Sequence, residues 1–336
     1  MIPQIVYVLV ANEKNLYLEE MWVSIFSLRR HHPEATVKVL VDMETKEYLS
    51  RFPQLTSMID ETVVVQTPAG YNAKQRSRQI KTTIRNVLTG DYIFIDTDTV
   101  ICKPLDGIVE DIRELKDFRG IAAVREGHAT MKDTLFPPTG TVKRIFDIDI
   151  SQSPLMTNSG VMFVADIPFT HEFYKRWNEN WKRSCFEKGN SQDQPSLYAT
   201  DCQYGYVIRE LSGIYNAQVA MSLKYFADAA IVHWWHMSFI EDQSYSPYFS
   251  LQIYKEIKAA KGMTAHAEEL IRNCKQSFTS PSIPVGEDIM YFLYSPAGKI
   301  FNRIYREGGI ASNLMLKAAY LLEKINNLVH RHHHVK

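Results

Sequence analysis

The 336-residue chain has little cysteine: four residues, at 102, 185, 202 and 274, with no CxxC pair and no repeated spacing. That pattern speaks against a disulfide framework and against a structural zinc site, and scattered free thiols fit a reducing compartment. There is no excess charge of either sign, since 38 Lys and Arg face 38 Asp and Glu. A dedicated nucleic-acid binder would carry a basic surplus, and a disordered polyelectrolyte a large net charge of one sign. No stretch reaches the roughly 18 apolar residues that a membrane-spanning helix needs. The opening MIPQIVYVLVANE has too short an apolar run and no basic segment before it, so it reads as a first strand rather than a secretory signal. These absences lead to the expectation of a cytoplasmic protein. Internal repeats and low-complexity tracts are also missing. What is present is an ordinary globular composition, 45% hydrophobic and 23% charged.

Strand and helix patterns alternate through the first hundred residues. IVYVLV (5–10), TVKVLVD (36–42), ETVVVQT (61–67) and DYIFID (91–96) are apolar, β-branched runs suited to strands buried on both faces. Between them, 19–32, 45–52 and 73–88 carry helical spacing. The alternation predicts an α/β fold with a largely parallel sheet, in which ligands bind beyond the carboxyl ends of the strands. Further strands are expected at 121–126, 158–166 and 229–236, a helix at 171–189, and a long Pro-bearing loop at 135–155. The segment 277–288 has linker composition, and 289–330 reads as mainly helical.

The strongest chemical signal is YIFIDTDTV (92–100), where a buried strand runs into Asp96-Thr97-Asp98. Residues i and i+2 of a strand share a face, and two carboxylates brought to one point repel unless a cation sits between them. Oxygen ligands of this kind suit Mg2+ or Mn2+. The bland alternative is a strand-end turn in which the aspartates cap the next element. A second DxD, Asp147-Ile148-Asp149, has a poorer strand before it and reads as surface loop. Asn158-Ser159-Gly160 opens a buried strand: Gly160 permits close backbone approach, and Asn158 offers both a donor and an acceptor. Asp193-Gln194 precedes Pro195, so Asp193 either caps a helix or faces a cleft. His233 and His236 both follow an apolar run, and neutral imidazole joins two carboxylates well in a Mn2+ site. Arg78 and Lys81 sit on the helix before the DTD strand, either as a solvated basic face or within reach of a diphosphate.

Together these motifs resemble the GT-A nucleotide-sugar glycosyltransferases, and among them glycosyltransferase family 8, which includes glycogenin and bacterial lipopolysaccharide glycosyltransferases. The resemblance runs over roughly residues 4–236. It implies a Rossmann-like, largely parallel mixed sheet flanked by helices, with a helical C-terminal extension. It places Ala11, Asn12 and Tyr17 at the uridine end of the donor, Lys81 or Arg78 on the donor, and Thr97 within the diphosphate-binding DxD. Asp96, Asp98 and His233, with His236 as the alternative, would hold Mn2+ or Mg2+. Asn158, Ser159 and Gly160 would line the donor site, and Asp193 and Gln194 would bind the transferred sugar close to the anomeric carbon. One departure stands out: where the family continues from its histidine into a Gly- and Lys-bearing segment, this chain reads His-Trp-Trp-His-Met-Ser.

The resemblance thus implies a glycosyltransferase moving a sugar from a UDP-sugar to a hydroxyl of a glycan or lipid-linked saccharide, with retention of configuration. The domain reading is a catalytic domain over 1–250 and a helical extension over 251–336. The basic, amphipathic C-terminal helix can lie on an anionic membrane surface, at its inner face, or pack on the catalytic domain. A nucleotidyltransferase is the rival enzyme, but it would carry a Gly-rich loop after the first strand, and 11–17 holds no glycine. A catalytically silent nucleotide- or glycan-binding relative is the non-enzyme rival.

Overall fold

The computed structural model describes residues 2–131, 138–219, 222, 224–233 and 251–275, together with 310, 313–315, 317–318, 320–322 and 324. The chain divides into two compact units, Met1–Ser280 and Pro281–Lys336. The described residues of the second unit are helical. No helix among the described residues is long and apolar enough to cross a membrane.

The first unit is built on a seven-stranded sheet. Its strands are β1 (Gln4–Leu9), β2 (Val37–Val41), β3 (Glu61–Val64), β4 (Tyr92–Ile95), β6 (Ile121–Arg125), β7 (Thr157–Val164) and β8 (Arg209–Leu211), in the order β3-β2-β1-β4-β7-β6-β8. The pairs β1/β2, β1/β4, β2/β3 and β6/β8 are parallel, while β7 runs antiparallel to both β4 and β6. A second, three-stranded sheet contains β5 (Thr99–Ile101), β9 (Ala217–Gln218) and β10 (Ile231–His233), in the order β5-β10-β9. The sequence pattern locates the main strands of the large sheet. It misses β5, β8 and β9, which are only two or three residues long and have no room for a periodic signature.

The apolar runs do what their composition predicts. Tyr92–Ile95 and Thr157–Val164 are buried along their whole length, with one core on each face of the sheet. By the usual transfer coefficient, each Ile, Val or Phe placed there contributes about 1.5–3 kcal/mol. The expected helix 73–88 is interrupted into Ala73–Lys81 and Ile84–Val87. The first begins with a reciprocal cap: Asn72 Oδ1 accepts from the Gln75 backbone, and Gln75 Oε1 accepts from the Asn72 backbone. The break falls on Thr82 and Thr83, whose hydroxyls donate back to carbonyls of the preceding turn.

Two expectations need correction. The segment 135–155 is not simply a loop, because Thr139–Phe146 is helical. Val142, Ile145 and Phe146 fall on one helical face and are buried, a short stripe overshadowed in the sequence by the flanking prolines. Nor are all four cysteines free thiols. Cys102 and Cys274 are joined in a disulfide, Cα atoms 6.8 Å apart, whereas Cys185 and Cys202 are free. The 172 residues between the two partners explain why spacing did not reveal the pair. The bond ties the end of β5 to the chain just after Ala265–Arg272. The helix Leu251–Ala260 belongs to the same unit, and Lys258 Nζ donates to the carbonyls of Glu13 and Asn15.

Candidate active site

The carboxyl ends of β1 and β4 open into a cleft of about 440 Å³. Val8 to Val10 and Phe94 form its apolar wall. The helix Ala73–Lys81 lays Lys74, Ser77, Arg78 and Lys81 along its other side, the i, i+3, i+4, i+7 stripe of one helix face. Asp96, Thr97 and Asp98 form the floor, and Tyr17 and Glu20 stand on the N-terminal turn of the helix Tyr17–His31.

The cations and carboxylates of the floor are interlocked. Lys81 Nζ donates to Asp96 at 3.0 Å, lies 3.5 Å from Asp193 Oδ2 and packs over the Phe94 ring. Arg78 Nε is 2.9 Å from Asp193 Oδ1. Ser159 Oγ donates to Asp193 Oδ2 at 3.0 Å. Burial alone would raise the Asp193 pKa, but Lys81 and Arg78 outweigh it and hold the carboxyl well below the usual range. Asp193 in turn raises Arg78. The carboxylate makes no side-chain bond to the start of its own helix, Gln194–Gln203. The side chain is therefore not a helix cap; it is buried against Arg78 and Lys81, two residues that line the cleft.

Asp96, Asp98 and His233 each offer a ligand atom, and these atoms all lie within 4.8 Å of one another. Strand pairing explains the convergence. β10 runs antiparallel to β5 with His233 opposite Thr99, which returns the histidine to the end of the DTD turn. His233 is buried, and its Nε2 is 3.1 Å from Asp98 Oδ1. Burial works against the imidazolium, but Asp98 and Asp96 prevail and raise its pKa. His236, the alternative ligand, lies outside the described residues.

Behind this floor, the Asn158-Ser159-Gly160 strand entry is committed to the protein. Asn158 Nδ2 donates to Glu126 Oε2 at 2.9 Å, and its Oδ1 accepts from the Gly160 backbone and from Asn216 Nδ2, both at 2.8 Å. The backbone approached closely at Gly160 meets the His233 ring: a Cβ there would lie 2.5 Å from His233 Cε1. Gln194 Nε2 donates to Glu126 Oε2 and to the Thr157 carbonyl, while its Oε1 accepts from the Ser159 backbone. Nearer the first strand, Ala11 is buried, its backbone N–H donating to Thr45 Oγ1. Asn12 Oδ1 closes a turn by accepting from Lys14 N and Asn15 Nδ2. Asn12 borders a second, shallower pocket of about 320 Å³ rather than the main cleft. Asp147 and Asp149 are surface groups, paired with Lys143 and the Ser151 backbone respectively.

No protein-family model matches the chain, and no curated protein sequence matches it. Among solved structures, the chain is similar to mouse xyloside xylosyltransferase 1, with 12% identity over 69% of this chain and 97% of that one, at a TM-score of 0.48. It is similar to the glycosyltransferase GlyE of Streptococcus pneumoniae, with 14% identity over 83% of this chain and 64% of that one, at 0.47. It is also similar to the galactosyltransferase LgtC, solved with donor and acceptor sugar analogues, with 11% identity over 80% and 98% of the two chains, at 0.47.

Sequence reasoning missed Glu126, Asn216 and Gln218. Glu126 follows β6 as Asp96 follows β4, an acidic residue at a strand's carboxyl end, and that signal could have found it. Burial raises its pKa, which the hydrogen bond from Asn158 only partly offsets. Gln218 is wholly buried, accepting from Gly127 N and donating to the Arg125 carbonyl, so it holds the loop that carries Glu126. Asn216 and Gln218 belong to a stretch without periodicity, and nothing in the sequence marks them.

Proposed function

We propose that the chain is a metal-dependent glycosyltransferase of the GT-A type. It moves a sugar from a nucleotide-diphosphate donor, a UDP-sugar, to a hydroxyl of a glycan or lipid-linked saccharide, with retention at the anomeric carbon. One observation carries this reading. Two carboxylates on the floor of a cleft at the strand ends meet a buried imidazole, and two cations line the side of the same cleft. The donor set of Asp96, Asp98 and His233 fits Mn2+ or Mg2+, hard-to-borderline ions that accept oxygen and imidazole ligands. A divalent ion bound there supplies Lewis-acid stabilisation of a leaving diphosphate.

The chain's own groups divide the remaining work. Arg78 and Lys81 present fixed positive charge where negative charge grows on the departing group. Asp193, kept ionised by those two cations, is the group that orients sugar hydroxyls. Gln194 and Glu126 lie behind it, next to the transferred sugar. Tyr17, which lines the cleft, stands at the nucleoside end, whereas Ala11 is buried behind it and Asn12 borders the second pocket. The C-terminal helix remains a proposed contact for an anionic membrane surface, which would suit a lipid-linked acceptor.

The test is thermal stability against UDP, GDP and CDP, each with and without Mn2+. Ligand at about 100 times its Kd stabilises by about 2.7 kcal/mol, and at about 2 °C per kcal/mol for a unit this size the melting shift is about 5 °C. A Mn2+-dependent shift with UDP, absent in Asp98→Asn, supports the reading. A shift with GDP or CDP instead replaces the donor, and no shift with any of the three overturns the reading. Asp98→Asn is also expected to remove most turnover while leaving the fold intact, and near-wild-type turnover at saturating Mn2+ would sink the metal assignment.

A further inference from the structure

A continuous hydrogen-bonded path leads from Glu126 to the candidate metal ligand His233, and its directions can be deduced. Asn158 is oriented at both ends. Its Oδ1 accepts from the Gly160 backbone N–H, which can only donate, and its Nδ2 faces the Glu126 carboxylate. The Asn216 atom 2.8 Å from Asn158 Oδ1 must therefore be the amide nitrogen. That leaves Asn216 Oδ1 facing His233 Nδ1 at 2.9 Å. An amide oxygen only accepts, so His233 carries a proton on Nδ1, and the nitrogen turned toward Asp96 and Asp98 is Nε2. A single fixed backbone donor thus propagates through two asparagines and sets the imidazole tautomer.

A second observation agrees. The ring of His233 rests on Gly160, where any side chain would overlap it. Asn216 is wholly buried, and His233 and Asn158 are nearly so, so water does not compete for these bonds. Gln218, paired with His233 across β9 and β10, holds the other end of the path by fixing the loop that carries Glu126.

We propose that Asn216 is a positioning residue for the metal site: by accepting from Nδ1–H it holds His233 in the tautomer that presents Nε2 to the ion. Asn158 and Gly160, the Asn-Ser-Gly strand entry, serve the same end by orienting Asn216 and making room for the ring. This rests on the metal-site reading above. It extends that reading to residues that touch neither ion nor substrate, and it gives the strand-entry motif a structural duty separate from sugar recognition.

The experiment measures Mn2+ binding by the full chain from the electron-paramagnetic signal of the free ion, with no nucleotide present. The proteins are wild type, His233→Ala, Asn216→Ala and the double variant. Loss of a partner behind a metal-bound histidine typically weakens metal affinity 10- to 100-fold, and a loss of about that size is expected for Asn216→Ala. In the His233→Ala background the same change is expected to have no further effect, because Asn216 acts only through that ring. Wild-type affinity in Asn216→Ala overturns the proposal. So does an equal loss in the His233→Ala background, which would indicate a merely structural role. If His233→Ala binds Mn2+ like wild type, the metal-site reading itself fails, and that outcome is distinct from the other two. Asn216→Asp guards against misfolding of the alanine variant. It keeps an acceptor oxygen at Nδ1 but gives up the amide donor to Asn158 Oδ1, so its Mn2+ affinity should exceed that of Asn216→Ala and depend on His233, and an affinity no better than that of Asn216→Ala in a cooperatively folded protein overturns the proposal.

Discussion

Asp193→Asn removes the charge at the centre of the cleft's ion-pair network. Asp193 is nearly buried and faces Arg78 at 2.9 Å and Lys81 at 3.5 Å, so its loss leaves two cations sharing Asp96 and Asp98. Removing one partner of a buried pair costs about 3–5 kcal/mol. Two features reduce that here: the Arg78 side chain is 28% exposed, and Lys81 keeps its bond to Asp96. The expected loss is therefore roughly 2–3 kcal/mol at pH 7, or a melting drop of about 4–6 °C. The pH dependence has a definite sign. The folded pKa of Asp193 lies below its unfolded value, so its contribution is fully present above about pH 5 and is lost as the pH falls through the folded pKa. The gap between wild type and variant should narrow as the pH drops below about 4. Chemical denaturation at several pH values measures this, and a cycle with Arg78→Met isolates the pair. In the Asp193→Asn background Arg78→Met should cost less than in wild type, with a coupling of about 1–3 kcal/mol. Additivity of the two changes, or a gap that does not vary with pH, would refute the argument.

Other expectations follow from single features. Gly160→Ala puts a methyl group 2.5 Å from His233 Cε1 and 2.7 Å from Asn158 Oδ1. It should cost about 1–3 kcal/mol as an overpacked site, and Mn2+ binding should weaken along with it; full Mn2+ affinity in this variant would mean that the ring has room to move. Asp201 is buried, and desolvation pushes its pKa up to about 6, despite backbone donors at Ile208 and Val207. A raised pKa means stability is greatest below the unfolded value and falls as pH rises through about 6, by about 3 kcal/mol for a two-unit shift. Asp201→Asn keeps the oxygen that accepts from Ile208 N, so it should abolish that step and be the more stable protein at pH 7; an unchanged pH profile would count against it. Finally, thiol titration of unfolded, unreduced protein should find two cysteines, and four after reduction, because Cys102 and Cys274 are paired. Opening the bond should cost about 2–4 kcal/mol, read as a lower melting temperature under reductant.

By itself the sequence determined the α/β layering and the DTD turn at the end of β4. It did so because both are local: a β-branched run buries itself wherever it goes, and two aspartates one residue apart share a strand end whatever surrounds them. It also marked Arg78 and Lys81, since a helix fixes which of its residues share a face. The tertiary structure decided what those groups do. His233 reaches Asp96 and Asp98 only through the antiparallel pairing of β10 with β5, a three-residue strand too short to leave a pattern. Asp193 could be a cap or a cleft carboxylate from its own neighbourhood, and its side chain is instead paired with two cations more than a hundred residues earlier in the chain. Asn158, Asn216 and Glu126 form one path although 90 residues separate the first and last of them in the chain. Hydrogen-bond direction is a property of which atoms meet, and only the folded chain brings them together.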